Sequence, residues 1–153
     1  MMMTETQVIH GANFNGFHAG AKETWAEFQL ERPVVPVRAK GKFFLRDLLN
    51  SKVLELSLNV LQPGKEFPFL HRHENNDEVY FVVSGQGQVF IDGEVIEMSE
   101  GSAVRVSPPG ARVWRNNSTD PLYYICLQYP AESVIEGGTS DGRGVEGKAA
   151  WPN

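Results

Sequence analysis

The chain has 153 residues, with 14 Lys and Arg against 19 Asp and Glu, which gives a formal net charge of −5. This length predicts one domain with a sizeable core, and the scattered basic residues argue against a nucleic acid partner. The single cysteine, Cys126, excludes an intrachain disulfide and lies in an apolar run, which predicts a buried thiol and fits a reducing compartment. We find no apolar segment of membrane-spanning length and no secretory signal in Met1–Gln7, so we expect a cytoplasmic protein without membrane contact.

Residues 1–52 are expected to form an N-terminal arm and an extension that packs on the main domain. Residues 1 to about 20 are polar and interrupted by glycine, so we expect no fixed element there. The segment Lys22–Glu31 fits neither the helical nor the strand period and is interpreted as a short helix or an edge strand, which Pro33 ends. The segment Phe43–Asn50 is predicted to form about one helical turn against a sheet.

Residues 53–130 carry a strand pattern throughout. Val53–Leu61 alternates apolar and polar residues and predicts a half-buried strand. The pair Asp92-Gly93 predicts a hairpin between two further strands, and short apolar runs separated by turn residues continue to Gln128. This regular spacing predicts an all-β protein, built as an antiparallel barrel or jelly roll. The glycine-rich residues 131–153 are predicted to form a C-terminal tail, which Trp151 would pin to the domain.

His71, His73 and Glu78 form a candidate metal-binding group. Side chains two positions apart point to the same side of an extended backbone, so the two histidines can bind one ion together. Glu78 adds a carboxylate at the start of the next strand. Two imidazoles and a carboxylate are ligands that zinc, iron(II) or manganese(II) accept. The alternative is a polar surface loop whose side chains are simply solvated.

These residues resemble the two sequence motifs of the cupin superfamily of small β-barrels. The first motif is matched, with one extra residue after its first glycine, by Gly64, His71, His73, Glu78 and Gly85. The second motif is matched in part by Gly101, Pro108, Gly110 and Asn117. Val113 stands where the family has a histidine, so one of the four usual metal ligands is missing. The resemblance covers residues 53–128 and implies a double-stranded β-helix, a bound divalent metal ion and a homodimer.

Tyr80 and Arg115 are the candidate catalytic residues. Tyr80 shares a strand face with Glu78, where its phenol can donate a hydrogen bond or act as a general acid, and the alternative is a tyrosine that fills space in the barrel. If the strand register follows the family, Arg115 faces inward and becomes a candidate anion-binding residue. A bulge near the Pro-Pro-Gly turn would bring in Arg112 and Trp114 instead.

We therefore expect a cupin barrel that binds Fe, Mn or Zn through the two histidines and Glu78. Three protein ligands leave open positions for substrate or O₂, and a positively charged site favours a small anionic organic molecule. One class of function is an enzyme, either a dioxygenase or an isomerase or lyase that resembles the cupin sugar-phosphate isomerases. The alternative is a non-catalytic pocket that binds or senses a small molecule after decay of the metal site. Phe67 and Phe69 are expected to wall the pocket in either case.

Overall fold

The computed structural model describes residues 8–29, 40–135 and 138–152. Within these ranges it has ten strands and two short 3₁₀ helices. The strands are β1 Val8–Gly11, β2 Phe14–Phe17, β3 Lys42–Phe44, β4 Glu55–Leu61, β5 Asn76–Ser84, β6 Gln86–Ile91, β7 Glu94–Ser99, β8 Ala103–Val106, β9 Arg112–Arg115 and β10 Leu122–Pro130. The helices are Lys22–Glu27 and Gly138–Asp141. In the part of the chain that the structure describes, no helix is long and apolar enough to cross a membrane.

Two antiparallel sheets enclose the core. The larger sheet has the strand order β3-β4-β10-β5-β8, and the smaller has the order β7-β6-β9. Asp92 and Gly93, which join β6 to β7, have φ angles of 48° and 98°, as the favoured two-residue hairpin turn requires. The predicted all-β antiparallel jelly roll is confirmed, and so is its hairpin.

The N-terminal region forms an apolar layer on the outer face of the larger sheet. Trp25 and Phe28 pack there in a cluster with Leu45, Leu58 and Val60. Because this layer covers the outside and the barrel interior lies on the other side, most of β4 is buried on both faces. The prediction of a half-buried strand is therefore wrong.

One further expectation for the N-terminal region is wrong, and another holds only in part. Residues 8–17 form the hairpin β1–β2, in which Val8 pairs with Phe17, and they are not an arm without a fixed element. These strands are too short and too rich in glycine and asparagine to give an alternation signal. In the segment Phe43–Asn50, Phe43 and Phe44 belong to β3, which pairs with β4. The predicted turn follows them: the Leu49 N–H donates to the Leu45 carbonyl at 2.9 Å.

The short N-terminal helix agrees with the sequence, whereas the contact expected for the C-terminal tail is not formed. The helix Lys22–Glu27 agrees with the short-helix alternative for its segment, while residues 30–39, with the predicted stop at Pro33, lie outside the described residues. Residues 1–7 lie outside them as well. Trp151 is 83% exposed, so it does not pin the tail to the domain.

Candidate functional site

A pocket lies between the two sheets. Its cavity volume is about 220 Å³, below the range of roughly 300–1,000 Å³ that suits drug-sized ligands. Aromatic side chains provide much of the lining, together with a smaller number of polar groups. The lining residues are Lys42, Phe44, Glu55, Ser57, Phe67, Phe69, His71, His73, Glu78, Tyr80, Trp114, Tyr124, Cys126 and Gln128. The pocket therefore accommodates a small, largely apolar molecule.

Backbone and side-chain contacts fix the two histidines at this pocket. His71 exchanges two backbone hydrogen bonds with Arg112 on β9, with N···O distances of 3.1 and 2.8 Å. Nδ1 of His73 lies 3.3 Å from Nε2 of Gln128 on β10. The two imidazole ring centroids are 5.6 Å apart. The two rings are thus close enough to approach one ion.

Glu78 is the central acidic group of the site and is only 6% exposed. Its Oε2 atom accepts hydrogen bonds from Nε and Nη2 of Arg112, at 3.0 and 2.8 Å, and from the Tyr80 hydroxyl. Its Oε1 atom lies 3.1 Å from Nε2 of His73 and 3.5 Å from Sγ of Cys126. Burial opposes ionisation of Glu78, but the contacts with His73, Tyr80 and Arg112 outweigh it and hold the pKa of this carboxyl well below its usual range.

Three side chains of the site fit a divalent metal ion. The ligand atoms of His71, His73 and Glu78 all lie within 4.8 Å of one another. Apart from its 3.1 Å contact with Oε1 of Glu78, the buried Nε2 of His73 has no polar partner among the described residues, as expected of a nitrogen that faces a metal ion. Burial lowers the pKa of His71 to about 4, so near neutral pH its imidazole has the uncharged form that binds metals.

Arg112 occupies the fourth side of this group. Its side chain is 0% exposed, and Nη1 donates to the Gly110 carbonyl at 2.7 Å while Nε and Nη2 donate to Glu78. A planar guanidinium, which stays charged at any accessible pH, therefore contacts the carboxylate of this group. The site combines three potential metal ligands with a permanent internal cation.

Arg115 and Val113 do not line the pocket. Arg115 is exposed and its Nε donates to Oε1 of Gln88 at 2.6 Å. Arg112 and Trp114 are buried and face the barrel interior. The prediction that Arg115 faces inward is therefore wrong, and the alternative, in which Arg112 and Trp114 face inward, is the one that the structure shows. The pairing of β9 with β6 continues without a bulge, so a bulge within the strand is not the cause.

The cause is the position of β9 relative to the motif. Asn116 is buried and donates to the carbonyls of Leu61 and Asp120, whereas Asn117 is exposed. Asn116 therefore takes the structural place that the motif spacing assigns to Asn117. The residues of β9 therefore lie one position earlier than the spacing counted from Gly110 predicts, and a shift of one residue moves every side chain of a strand to the other face.

Tyr80, Phe67 and Phe69 lie in the pocket lining. Tyr80 is buried, and burial together with the neighbouring Glu78 raises the pKa of its phenol, so the hydroxyl keeps its proton and donates it to Glu78 in a hydrogen bond. This geometry makes Tyr80 a residue that positions Glu78. Its role as a general acid stays a prediction.

Sequence reasoning missed the contribution of β3 and β4 to the pocket. Lys42 and Phe44 lie on β3, and Glu55 and Ser57 lie on the inner face of β4. The signal in β3 was the two-residue spacing of Lys42 and Phe44, which a helical interpretation of the segment hid. The signal in β4 was the alternate polar residues Glu55 and Ser57, which line the barrel interior although alternate polar residues usually face solvent.

Comparisons with known proteins agree with this architecture. The model of the cupin domain family matches residues 57–128. A cupin protein of known structure from Bacteroides fragilis is 32% identical, with a TM-score of 0.66, and the match covers 77% of this chain and 98% of that protein. An uncharacterised protein from Methanocaldococcus jannaschii is 26% identical over 104 residues, or 65% of this chain and 83% of the relative.

A more distant structure shows the fold alone. A predicted oxalate decarboxylase from Thermotoga maritima is 19% identical, with a TM-score of 0.51, over 56% of this chain and 73% of that chain. The match to the Bacteroides fragilis protein covers 98% of that protein. The match of this chain to the cupin family model includes His71, His73 and Glu78. The chain therefore belongs to the cupin superfamily.

Proposed function

We propose that this cupin binds a divalent metal ion through His71, His73 and Glu78 and acts on a small anionic organic molecule in the adjoining pocket. The observation that carries the proposal is the group of three ligand atoms within 4.8 Å beside a cavity of about 220 Å³. The metal would be Fe, Mn or Zn, since each accepts two imidazoles and a carboxylate.

The proposed reaction is of the dioxygenase type or of the isomerase or lyase type. A divalent ion at these residues would supply Lewis-acid polarisation of a substrate oxygen. The residues of the chain prepare the site for it: Arg112 and Tyr80 keep Glu78 ionised and oriented, and Gln128 contacts His73 from β10. The aromatic lining limits the access of water to the bound molecule.

Elemental analysis of protein purified without a histidine tag tests this proposal. We expect retained metal after dialysis, lost in His71→Ala and in His73→Ala while the barrel stays folded. His18→Ala is the matched control, because His18 is exposed and outside the pocket, and it should retain the metal. Wild-type protein that retains no metal and shows no thermal shift with iron(II), manganese(II) or zinc(II) would contradict the proposal.

A second candidate function is binding or sensing of a small molecule without metal. The Arg112–Glu78 pair favours it, because the guanidinium already neutralises the carboxylate and uses Oε2 for two hydrogen bonds. A carboxylate that already accepts these hydrogen bonds binds a metal cation more weakly. Ligand binding that is equal in metal-loaded and chelator-treated protein would favour this function over the first.

The proposal includes a homodimer in the cytoplasm. The single cysteine is buried, which supports a reducing compartment, and family members commonly pair through their barrels. Light scattering during size-exclusion chromatography measures the oligomeric state.

A further inference from the structure

Two groups of aromatic rings line the pocket. Trp114 and Tyr124 stack, with ring centroids 4.7 Å apart and planes at 10°, and Tyr80 meets both edge-on at 5.3 and 6.1 Å. Phe67 and Phe69 form a T-shaped pair with centroids 4.9 Å apart. A ligand in this space meets ring faces and edges over much of its surface, which is the environment that another flat ring prefers.

Lys42 adds a positive charge to this aromatic lining. Its Nζ atom donates to Oδ1 of Asn59 at 2.7 Å and, at the longer distance of 3.4 Å, to the Ser57 hydroxyl. It lies 5.0 Å from the ring centroid of Phe44 and 6.0 Å from that of Phe67. An ammonium has three donors on a flexible side chain. It can therefore turn towards an anion in the pocket by replacing the 3.4 Å contact with Ser57 by a hydrogen bond to that anion.

Two charged groups of the pocket, Glu78 and Lys42, are already engaged with protein partners. Glu78 accepts from Arg112 and Tyr80, and the Lys42 ammonium is held by Asn59 and Ser57. A sugar phosphate has hydroxyl groups around its whole surface, and each one buried against a ring would lose its hydrogen bond to water. A flat ring with one anionic group has no hydroxyl groups on its faces, so burying the ring against the aromatic side chains breaks no hydrogen bonds of that kind.

We propose that the pocket binds a small carboxylate that carries an aromatic or unsaturated ring, with the ring against the aromatic walls and the carboxylate at Lys42. This inference names the substrate class of the function proposed above and rests on that function for the reaction that would follow binding. The binding step depends on the walls and on Lys42, so it is measurable without metal.

Calorimetric titration of the full chain with four probes tests the substrate class. Benzoate has the ring and the carboxylate, benzyl alcohol has the ring alone, acetate has the carboxylate alone, and ribose 5-phosphate represents sugar phosphates. We expect benzoate to bind at least about tenfold more tightly than acetate or ribose 5-phosphate, both in chelator-treated and in zinc-loaded protein. Acetate or ribose 5-phosphate binding as tightly as benzoate, or no benzoate binding in either state, would overturn the inference.

Variants of Lys42 test the position of the carboxylate. Lys42→Met should weaken benzoate binding about tenfold and leave benzyl alcohol binding unchanged, because only the charge is removed. Lys42→Arg keeps the charge and should retain most of the benzoate affinity. Arg115→Met is the matched control, since it removes a cation from the outer face, and all four affinities should stay the same. Unchanged benzoate binding in Lys42→Met overturns the assignment of Lys42, and Lys42→Gln provides the same test if the Met variant does not fold.

Metal content measured on the same samples separates this inference from the proposed function. Preferential benzoate binding by protein that retains no metal supports the substrate class and contradicts the metal site. Retained metal without any preference for benzoate supports the metal site and overturns the substrate class.

Discussion

The two faces of the larger sheet differ in what they bury. On the outer face, Trp25 packs in an apolar cluster with Leu58 and Val60. On the inner face, the same sheet presents Ser57 and Glu78 to the pocket. Buried apolar contacts stabilise the fold without needing partners, whereas a buried charge is tolerated only with its partner in place. The outer face therefore contributes an apolar cluster to stability, whereas the inner face combines the apolar core that includes Val82 and Tyr124 with polar groups placed where they can bind a ligand.

The largest expected effect comes from breaking the inner Glu78–Arg112 pair. Glu78→Gln leaves the buried guanidinium without its carboxylate, and we expect the free energy of unfolding to fall by about 3–5 kcal/mol. Arg112→Met should cost a similar amount, because it leaves the buried Glu78 carboxylate without its permanent cation. The double variant has neither charge and should recover much of the loss. Urea denaturation of the four proteins measures this, and losses that simply add would contradict a coupled pair.

A slightly smaller effect is expected on the outer face. Leu58→Ala removes a buried side chain from the outer cluster, and we expect a loss of about 2–5 kcal/mol in the free energy of unfolding. Leu54→Ala is the matched control, because Leu54 is partly exposed, and it should cost clearly less. Leu58 does not line the pocket, so metal retention should not change. Loss of metal by folded Leu58→Ala protein would show that the two faces are not independent.

Arg112→His tests the cation on the fourth side of the inner site. The change removes a buried positive charge and offers an imidazole from the same position, so zinc affinity should rise at least about tenfold, or about 1.4 kcal/mol. Val113→His is the matched control, because Val113 does not line the pocket, and its zinc affinity should equal that of the wild type. Competition with a chromophoric chelator measures both. Equal affinity in Arg112→His would mean that the guanidinium does not limit metal binding.

A further expected effect is a pH dependence of the metal-free protein. Burial lowers the pKa of His71 from 6.5 to about 4, and Glu78 opposes the shift while Arg112, His73 and Lys42 reinforce it. Between these values the unfolded chain binds a proton that the folded chain does not, so the free energy of unfolding should fall as the pH drops from about 6.5 to about 4. His71→Gln should flatten this part of the profile, measured by urea denaturation with a chelator present. An identical slope in the variant would assign the effect to other groups.

Features with local signals could be predicted from the sequence. The histidine pair and Glu78 were found because their spacing along an extended chain brings three ligand atoms together. The hairpin at Asp92-Gly93 was found because these residue types adopt the positive φ that the turn needs.

Features that depend on distant contacts could not be predicted. Arg112 faces the barrel interior and Arg115 faces solvent because the residues of β9 lie one position earlier than the motif spacing counted from Gly110 predicts. The alternation in β4 correctly divides the strand into an apolar face and a polar face. Which of these faces the barrel interior depends on whether an apolar layer covers the outside of the sheet. That cover includes Trp25 and Phe28, and nothing in β4 itself records their presence.

Part of the pocket wall comes from a strand outside the stretch that matches the cupin family. Lys42 and Phe44 lie on β3, before residue 57, where the family match begins, whereas the three potential metal ligands all lie within the match. β3 is also an edge strand of its sheet, and its Phe43 packs against the outer cluster while Lys42 and Phe44 face the pocket. A library of variants restricted to Lys42 and Phe44 would therefore sample new ligands on a constant set of metal-binding side chains. Relatives that diverge in this one strand would be expected to keep the same centre and accept different molecules.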